Sequence, residues 1–144
     1  MATGLRRRAR CYALQLLYAM DLNEGVAVDE ALRDYGAAFE LEIDDKTLEF
    51  ARDLVNRTAA HRTELDDVIQ TASRNWRLER MARVDRNILR LAACELRHTP
   101  EVPVKVVINE AVELAKRFGT GESAAFVNGI LDRIAASLGR NPAE

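Results

Sequence analysis

Apolar residues recur along most of this chain at intervals of three and four, with breaks at only a few places. That spacing belongs to helices with one buried face. The first run predicts a helix from about Leu5 to Leu22. Gly25, in "NEGVAVD", punctuates it, and a shorter helix follows over about residues 29–39. Asp44 or Asp45 is suited to cap a long third helix. Its apolar positions Leu48, Ala51, Leu54, Val55, Leu65, Val68 and Ile69 keep helical register to about Ser73. "RNWRLERMAR" is irregular, with room for one short turn. "VDRNILRLAACELRH" predicts the next helix, stopped by Thr99-Pro100. Pro103 opens another at a favoured first-turn position. Gly119 closes that helix and is able to take the left-handed C-terminal conformation. "TGESAAFVNGILDRIAASLG" predicts the last helix, closed by Gly139. The fold class is therefore all-α: six or seven helices with short connections, packed as a bundle.

On a helical wheel, Ala9, Tyr12, Ala13, Leu16, Ala19 and Met20 share one apolar sector of the first helix. Arg7, Arg10, Leu14 and Tyr18 lie opposite, at spacings of three, four and four, and are read as an exposed stripe. Arg6 lies at its edge. Arginine binds phosphate bidentately and stacks on bases, tyrosine offers a stacking face, and a helix N-terminus adds free N–H groups. The stripe therefore suits single-stranded RNA. The plain alternative is a solvated basic helix start.

Charge sharpens this reading. The net charge is −2, yet no acidic residue precedes Asp21. From Asp21 to Asp53, eleven acidic residues face only Arg33, Lys46 and Arg52. A basic start is thus followed by an acidic flank that repels nucleic acid. A basic stretch followed by an apolar one also resembles a secretory signal, but Gln15 interrupts the run and "MDLNEG" offers no small-residue cleavage site. No stretch reaches the length of a membrane span, so a cytoplasmic protein is expected.

The chain has 144 residues, 48% hydrophobic and 31% charged, the composition of one globular domain. Cys11 and Cys94 sit far apart in apolar helical segments and read as buried thiols in a reducing compartment. His61 and His98 are isolated in sequence, so no zinc or haem site and no cofactor is expected.

Near the end, Val104, Val107, Ile108, Ala111, Leu114, Ala115 and Phe118 form a core stripe. Lys105, Asn109 and Lys116 take other faces, and Glu113 is placed to pair with Arg117. "RFGTGES" could hold a phosphate on its N–H groups, but it lacks the Lys and spacing of a nucleotide-hydrolysing loop. Phe126 reads either as core, with Ile130 and Ile134, or as an exposed stacking residue. Gly129, in mid-helix, is costly against Ala, and close packing against a neighbouring backbone would explain it. Glu95 falls among Val84, Ile88 and Leu91, where a carboxylate needs a partner. Arg86, Arg90 and Arg97 form a polar stripe facing protein or solvent.

"RRRAR…ALQLLYAMDL", "VDRNILRLAACEL" and "VPVKVVINEAVELAKRFGTGESAAFVNGILDRI" together resemble the NusB family of bacterial transcription antitermination factors, over nearly the whole chain. The resemblance implies two packed helical subdomains, here about residues 1–75 and 76–144. It implies binding of the boxA element of ribosomal RNA leader transcripts, with the ribosomal protein NusE as partner and other Nus factors and RNA polymerase met indirectly. Carried over residue by residue, the RNA surface comprises Arg6, Arg7, Arg10, Tyr18, Lys105, Thr120, Glu122, Ser123 and Phe126. Glu79, Asp85 and Arg90 match places where the family meets NusE. Two departures concern RNA contact: Glu122 stands where relatives have Asp, and Trp76 takes the place of an aromatic expected nearer Ser73. On this reading the protein is an adaptor and not an enzyme. NusB-like domains also form the N-terminal parts of RNA cytosine methyltransferases, and a detached domain of that kind is one alternative. A purely protein-binding bundle is the other. Monomer and homodimer both stay open.

Overall fold

The computed structural model describes residues 2–23, 25, 27–31 and 44–140. Among them every regular element is helical. They are α1 (Ala2–Leu22), α2 (Asp45–Ala60), α3 (Arg62–Ala72), a turn of 3-10 helix at Leu78–Arg80, α4 (Arg83–His98), α5 (Val104–Phe118) and α6 (Ser123–Ser137). Residues 28–31 are also helical. The remainder of the helix expected over 29–39 lies outside the described residues. The chain divides into two compact units, Met1–Ala60 and His61–Glu144.

In the first unit α1 packs on α2. Ala9, Tyr12, Ala13 and Leu16 of α1 are buried, as are Ala51, Leu54 and Val55 of α2. Asp44 caps α2: its Oδ1 accepts the Thr47 amide N–H at 2.8 Å. That hydrogen bond satisfies one of the free donors of the first turn. It also holds the Asp44 carboxyl below its ordinary value, with smaller help from the Arg8 and Lys46 charges. Burial pushes the Tyr12 phenol up.

The expected long third helix is in fact two. It breaks at His61, which has φ −110° and ψ 18° and lies between α2 and α3. Neither Gly nor Pro marks the break, and both halves keep the same apolar repeat, so the pattern alone reads through it. The first helix also begins earlier than expected, at Ala2. Its arginines therefore sit beyond the four free N–H groups of the helix start.

In the second unit α4 is central and packs against α3, α5 and α6. Every residue from Asn87 to Leu96 is buried, as expected of a helix surrounded by others. Each fully buried Leu or Ile there contributes about 1.5–3 kcal/mol. Burial on all sides takes charged side chains inside too. Arg90, read as part of a face toward protein or solvent, has a side chain only 6% exposed. It donates bidentately to Asp66 on α3, Nε to Oδ1 at 2.7 Å and Nη2 to Oδ2 at 3.1 Å. Glu95 is buried as its wheel position implies. Cys94 is buried, Cys11 half-buried, and neither forms a disulfide.

Gly119 ends its helix as read, but without the left-handed conformation open to it, and Gly129 lacks the close backbone that would explain it. Gly119 has φ −96°, so it is not left-handed. Its small size matters instead: a Cβ there would lie 2.6 Å from Ser123 Cβ and 2.8 Å from the Ala115 carbonyl oxygen. Gly129 has no close neighbour to accommodate, since a Cβ would meet nothing within 4 Å among the described residues. Gly139 does take a positive φ, 71°. It closes α6 with Gly139 N–H to Ala136 O at 3.0 Å and Arg140 N–H to Ala135 O at 2.9 Å, the paired bonds of a left-handed helix stop. The Arg140 side chain then donates to the carbonyl oxygens of Leu96 (2.9 Å), Pro100 (3.2 Å) and Val102 (2.8 Å).

Candidate nucleic-acid interface

In the first unit, Arg6, Arg7 and Arg8 are exposed on α1. The Arg6 guanidinium lies 5.5 Å from the centre of the Phe50 ring, and Arg8 pairs with Asp44 at 3.6 Å. Arg6 and Phe50 line a groove of about 650 Å3 together with Lys46, Glu49, Arg52 and Asp53. Its charges are mixed. An anionic chain entering it meets Arg6, Lys46 and Arg52 but also two carboxylates.

The exposed stripe read on α1 needs correction. Arg7 is exposed and Tyr18 half-buried, but Arg10 is 3% exposed and Leu14 2%. Leu17 and Asp21 are buried as well. Arg10, Leu14, Leu17 and Asp21 recur at four, three and four, so α1 buries a second stripe beside the first. Charged residues at both ends of that stripe disguised it as a polar face.

In the second unit the turn between α5 and α6 is organised by Ser123. Its hydroxyl is buried and accepts the Thr120 N–H at 3.0 Å. Thr120 Oγ1 lies 3.4 Å from Ser123 Oγ and accepts the Glu122 N–H at 3.4 Å. Thr120 and Glu122 themselves are exposed. Ser123 thus shapes the turn from inside, and its neighbours present it to solvent. One turn into α6, Phe126 is half-buried, and Trp76 meets it edge-on at 6.1 Å and 90°. Trp76 is 60% exposed. Of the two roles read for Phe126, neither holds alone: it borders the core and supports an exposed indole.

Trp76 also lines a groove of about 760 Å3 with Arg74, Arg97, Arg133 and Asp67. Arg97 is paired with Glu64, which leaves Arg74 and Arg133 against Asp67, a mildly positive groove with a stacking face. The signal for it in sequence is the only tryptophan of the chain, flanked by Arg74 and Arg77. The groove itself joins residues some sixty positions apart, as when Arg133 Nε donates to the Ala72 carbonyl oxygen at 2.8 Å.

The other expected positions are dispersed. Lys105 is exposed in the first turn of α5. Glu79 is exposed on the 3-10 turn and pairs with Arg77 at 3.8 Å. Asp85 lies in the first turn of α4, where the helix dipole favours a carboxylate. One of its oxygens, Oδ1, is buried without a hydrogen-bond partner among the described residues. Glu113 pairs with Lys116 at 3.7 Å. The histidines read as isolated are stacked on each other, with centroids 4.0 Å apart. No described helix is long and apolar enough to cross a membrane.

These features define a small helical protein with exposed arginines on α1 and an exposed aromatic edge beside the turn between α5 and α6. The chain belongs to the NusB family, whose family model matches residues 7–136. It is 47% identical over 138 residues to the transcription antitermination protein NusB of Myxococcus xanthus, covering 95% of this chain and 99% of that one. Among solved structures, NusB of T. maritima superposes with a TM-score of 0.81 at 38% identity, covering 91% of this chain and 90% of that one. A crystal structure of the antitermination factors NusB and NusE in complex with dsRNA gives 0.81 at 28% identity, covering 93% and 98%.

Proposed function

We propose that this protein is a transcription antitermination factor that binds boxA RNA of ribosomal RNA leaders together with NusE. The observation that carries the reading is the likeness, over 93% of the chain, to a NusB solved with NusE and RNA. The chemistry supports it. Arg6 and Arg7 offer exposed guanidiniums for phosphates, and the Thr120–Phe126 stretch with Trp76 offers a turn and a stacking edge. Tyr18 and Lys105 are further contacts in this reading. Arg10, being buried, acts by holding α1 and its exposed neighbours in place. Ser123 likewise acts through the turn it shapes. Glu79 and Asp85 are the candidates for meeting NusE, whereas Arg90 serves the fold through Asp66. The protein acts in the cytoplasm by assembly, with no bond made or broken.

The test is fluorescence anisotropy of labelled boxA RNA against a scrambled sequence, at two salt concentrations, with and without NusE. Preference for boxA that strengthens with NusE is the expected result. With about three to four phosphate contacts the log–log salt slope is about −2 to −3. Weak, sequence-blind binding in all conditions would overturn the reading in favour of a protein-binding bundle.

A further inference from the structure

Two histidines and a glutamate meet in the second unit although one of them comes from a distant helix. His61 occupies the N-cap position of α3, Glu64 lies in the first turn of α3, and His98 is the last residue of α4. The two imidazole rings stack with centroids 4.0 Å apart and planes 24° apart. His98 Nε2 lies 3.0 Å from Glu64 Oε1. One ligand atom from each of the three residues falls within 4.8 Å of the other two, and all three residues are half-buried.

We propose that His61, Glu64 and His98 form a binding site for one divalent transition-metal ion of the zinc type. Two imidazoles and a carboxylate suit zinc, cobalt, nickel or copper, whereas magnesium and calcium prefer oxygen donors throughout. Around a tetrahedral ion with ligands at about 2.0–2.1 Å, neighbouring donors stand about 3.4 Å apart. The 3.0 Å separation of His98 and Glu64 is already close to that. The stacked rings do not yet aim at one point, so one imidazole turns about its side-chain torsions to bring the ion into both ring planes and the widest separation in from its limit of 4.8 Å. Water completes the coordination at the open side that half-burial leaves.

The surroundings hold the ligands in register. The Asp66–Arg90 pair ties α3 to α4, the two helices that supply the site. Arg97 pairs with Glu64 and orients the carboxylate from outside, as partners of metal ligands commonly do. Its positive charge also weakens the pull on a cation. The affinity is accordingly below that of a dedicated structural zinc site. The competing account is that the stacked histidines and their carboxylate only fasten the start of α3 to the end of α4.

Zinc chloride titrated calorimetrically into the full chain, with visible absorption of the cobalt-loaded chain, separates the two. One saturable site is expected, with cobalt bands of an imidazole–carboxylate environment and no thiolate charge transfer. His61→Gln and His98→Gln each weaken binding at least about tenfold, and the double variant abolishes saturable uptake while circular dichroism is unchanged. Absence of saturable zinc uptake by the unsubstituted chain overturns the proposal. So does uptake that survives both substitutions, or a thiolate band placing the ion on Cys11 or Cys94. Should His98→Gln lose helicity, His61→Gln, outside the body of either helix, decides by the same criterion.

Discussion

Arg90 and Asp66 form a two-pronged ion pair, at 2.7 and 3.1 Å, between the central helix of the second unit and its neighbour α3. The same guanidinium also donates from Nη1 to Asn87 Oδ1 at 3.3 Å. Removing one partner of such a pair leaves a charge in a poorly solvated place. Asp66 keeps some access to water, so Arg90→Ala is expected to cost about 2–4 kcal/mol, slightly under the range for fully buried pairs. Arg90→Lys keeps the charge but not the fork, and recovers only part of the loss. Urea denaturation of the three proteins checks this. An Arg90→Ala protein of unaltered stability that fails to bind NusE would instead return the residue to the partner surface.

Gly119 and Gly129 sit in adjoining segments and predict opposite responses to a methyl group. Gly119→Ala drives a Cβ against Ser123 and the Ala115 carbonyl oxygen, and is expected to destabilise by about 1–3 kcal/mol through overpacking. Gly129→Ala enters open space in mid-helix and is expected to stabilise by up to about 1 kcal/mol. Thermal melts of the two variants side by side give the comparison. A destabilising Gly129→Ala would overturn the reading of that position as open space.

The edge contact between Trp76 and Phe126 makes a prediction about RNA. Loss of either ring should cost about 1–3 kcal/mol of binding if bases stack there. Because the rings touch, the double variant should cost less than the sum. The chain contains a single tryptophan, so its own emission reports events at this edge without a label. Tryptophan fluorescence that ignores saturating boxA RNA would remove Trp76 from the interface.

Acid should loosen the start of α2. The Asp44 carboxyl is held below its ordinary value of 3.8 by the Thr47 N–H. A depressed folded-state value contributes stability that is present above the unfolded value and lost as pH falls through the folded one. Asp44→Asn still caps the helix but cannot titrate there. The difference in stability between the two proteins, followed by urea melts from neutral pH down to about pH 2, should therefore shrink or reverse only below about pH 4. A difference that does not vary with pH would mean that the carboxylate's charge plays no part in the cap.

Much of the fold is written in local pattern. The apolar repeats locate the helices, and Thr99-Pro100, Gly119 and Gly139 mark real ends. Gly119 marks its end for a reason of space that no single-residue rule contains, because Ser123 must be folded back before the crowding exists. The second buried stripe of α1 was hidden by Arg10 and Asp21, whose charges say "surface" when taken alone. The break at His61 left no trace, since Ala59, Ala60 and Arg62 around it all favour continued helix. Of the candidate site, the exposed arginines and the Thr120–Phe126 turn could be read from sequence. Trp76 between Arg74 and Arg77 was a partial signal, but the groove around it and the histidine pair were not legible, because each is assembled from helices whose packing brings distant positions together.

The reach of Arg140 bears on how the second unit comes into being. Three carbonyls at the end of α4 and just beyond it share one donor group, and that group follows them in the chain by 44, 40 and 38 residues. As the chain emerges from the ribosome, those carbonyls are made long before the guanidinium that answers them. Until it arrives those carbonyls have water for a partner in place of the Arg140 guanidinium. The contacts that close the seam between α4 and α5 therefore form only once α6 and Arg140 have been made.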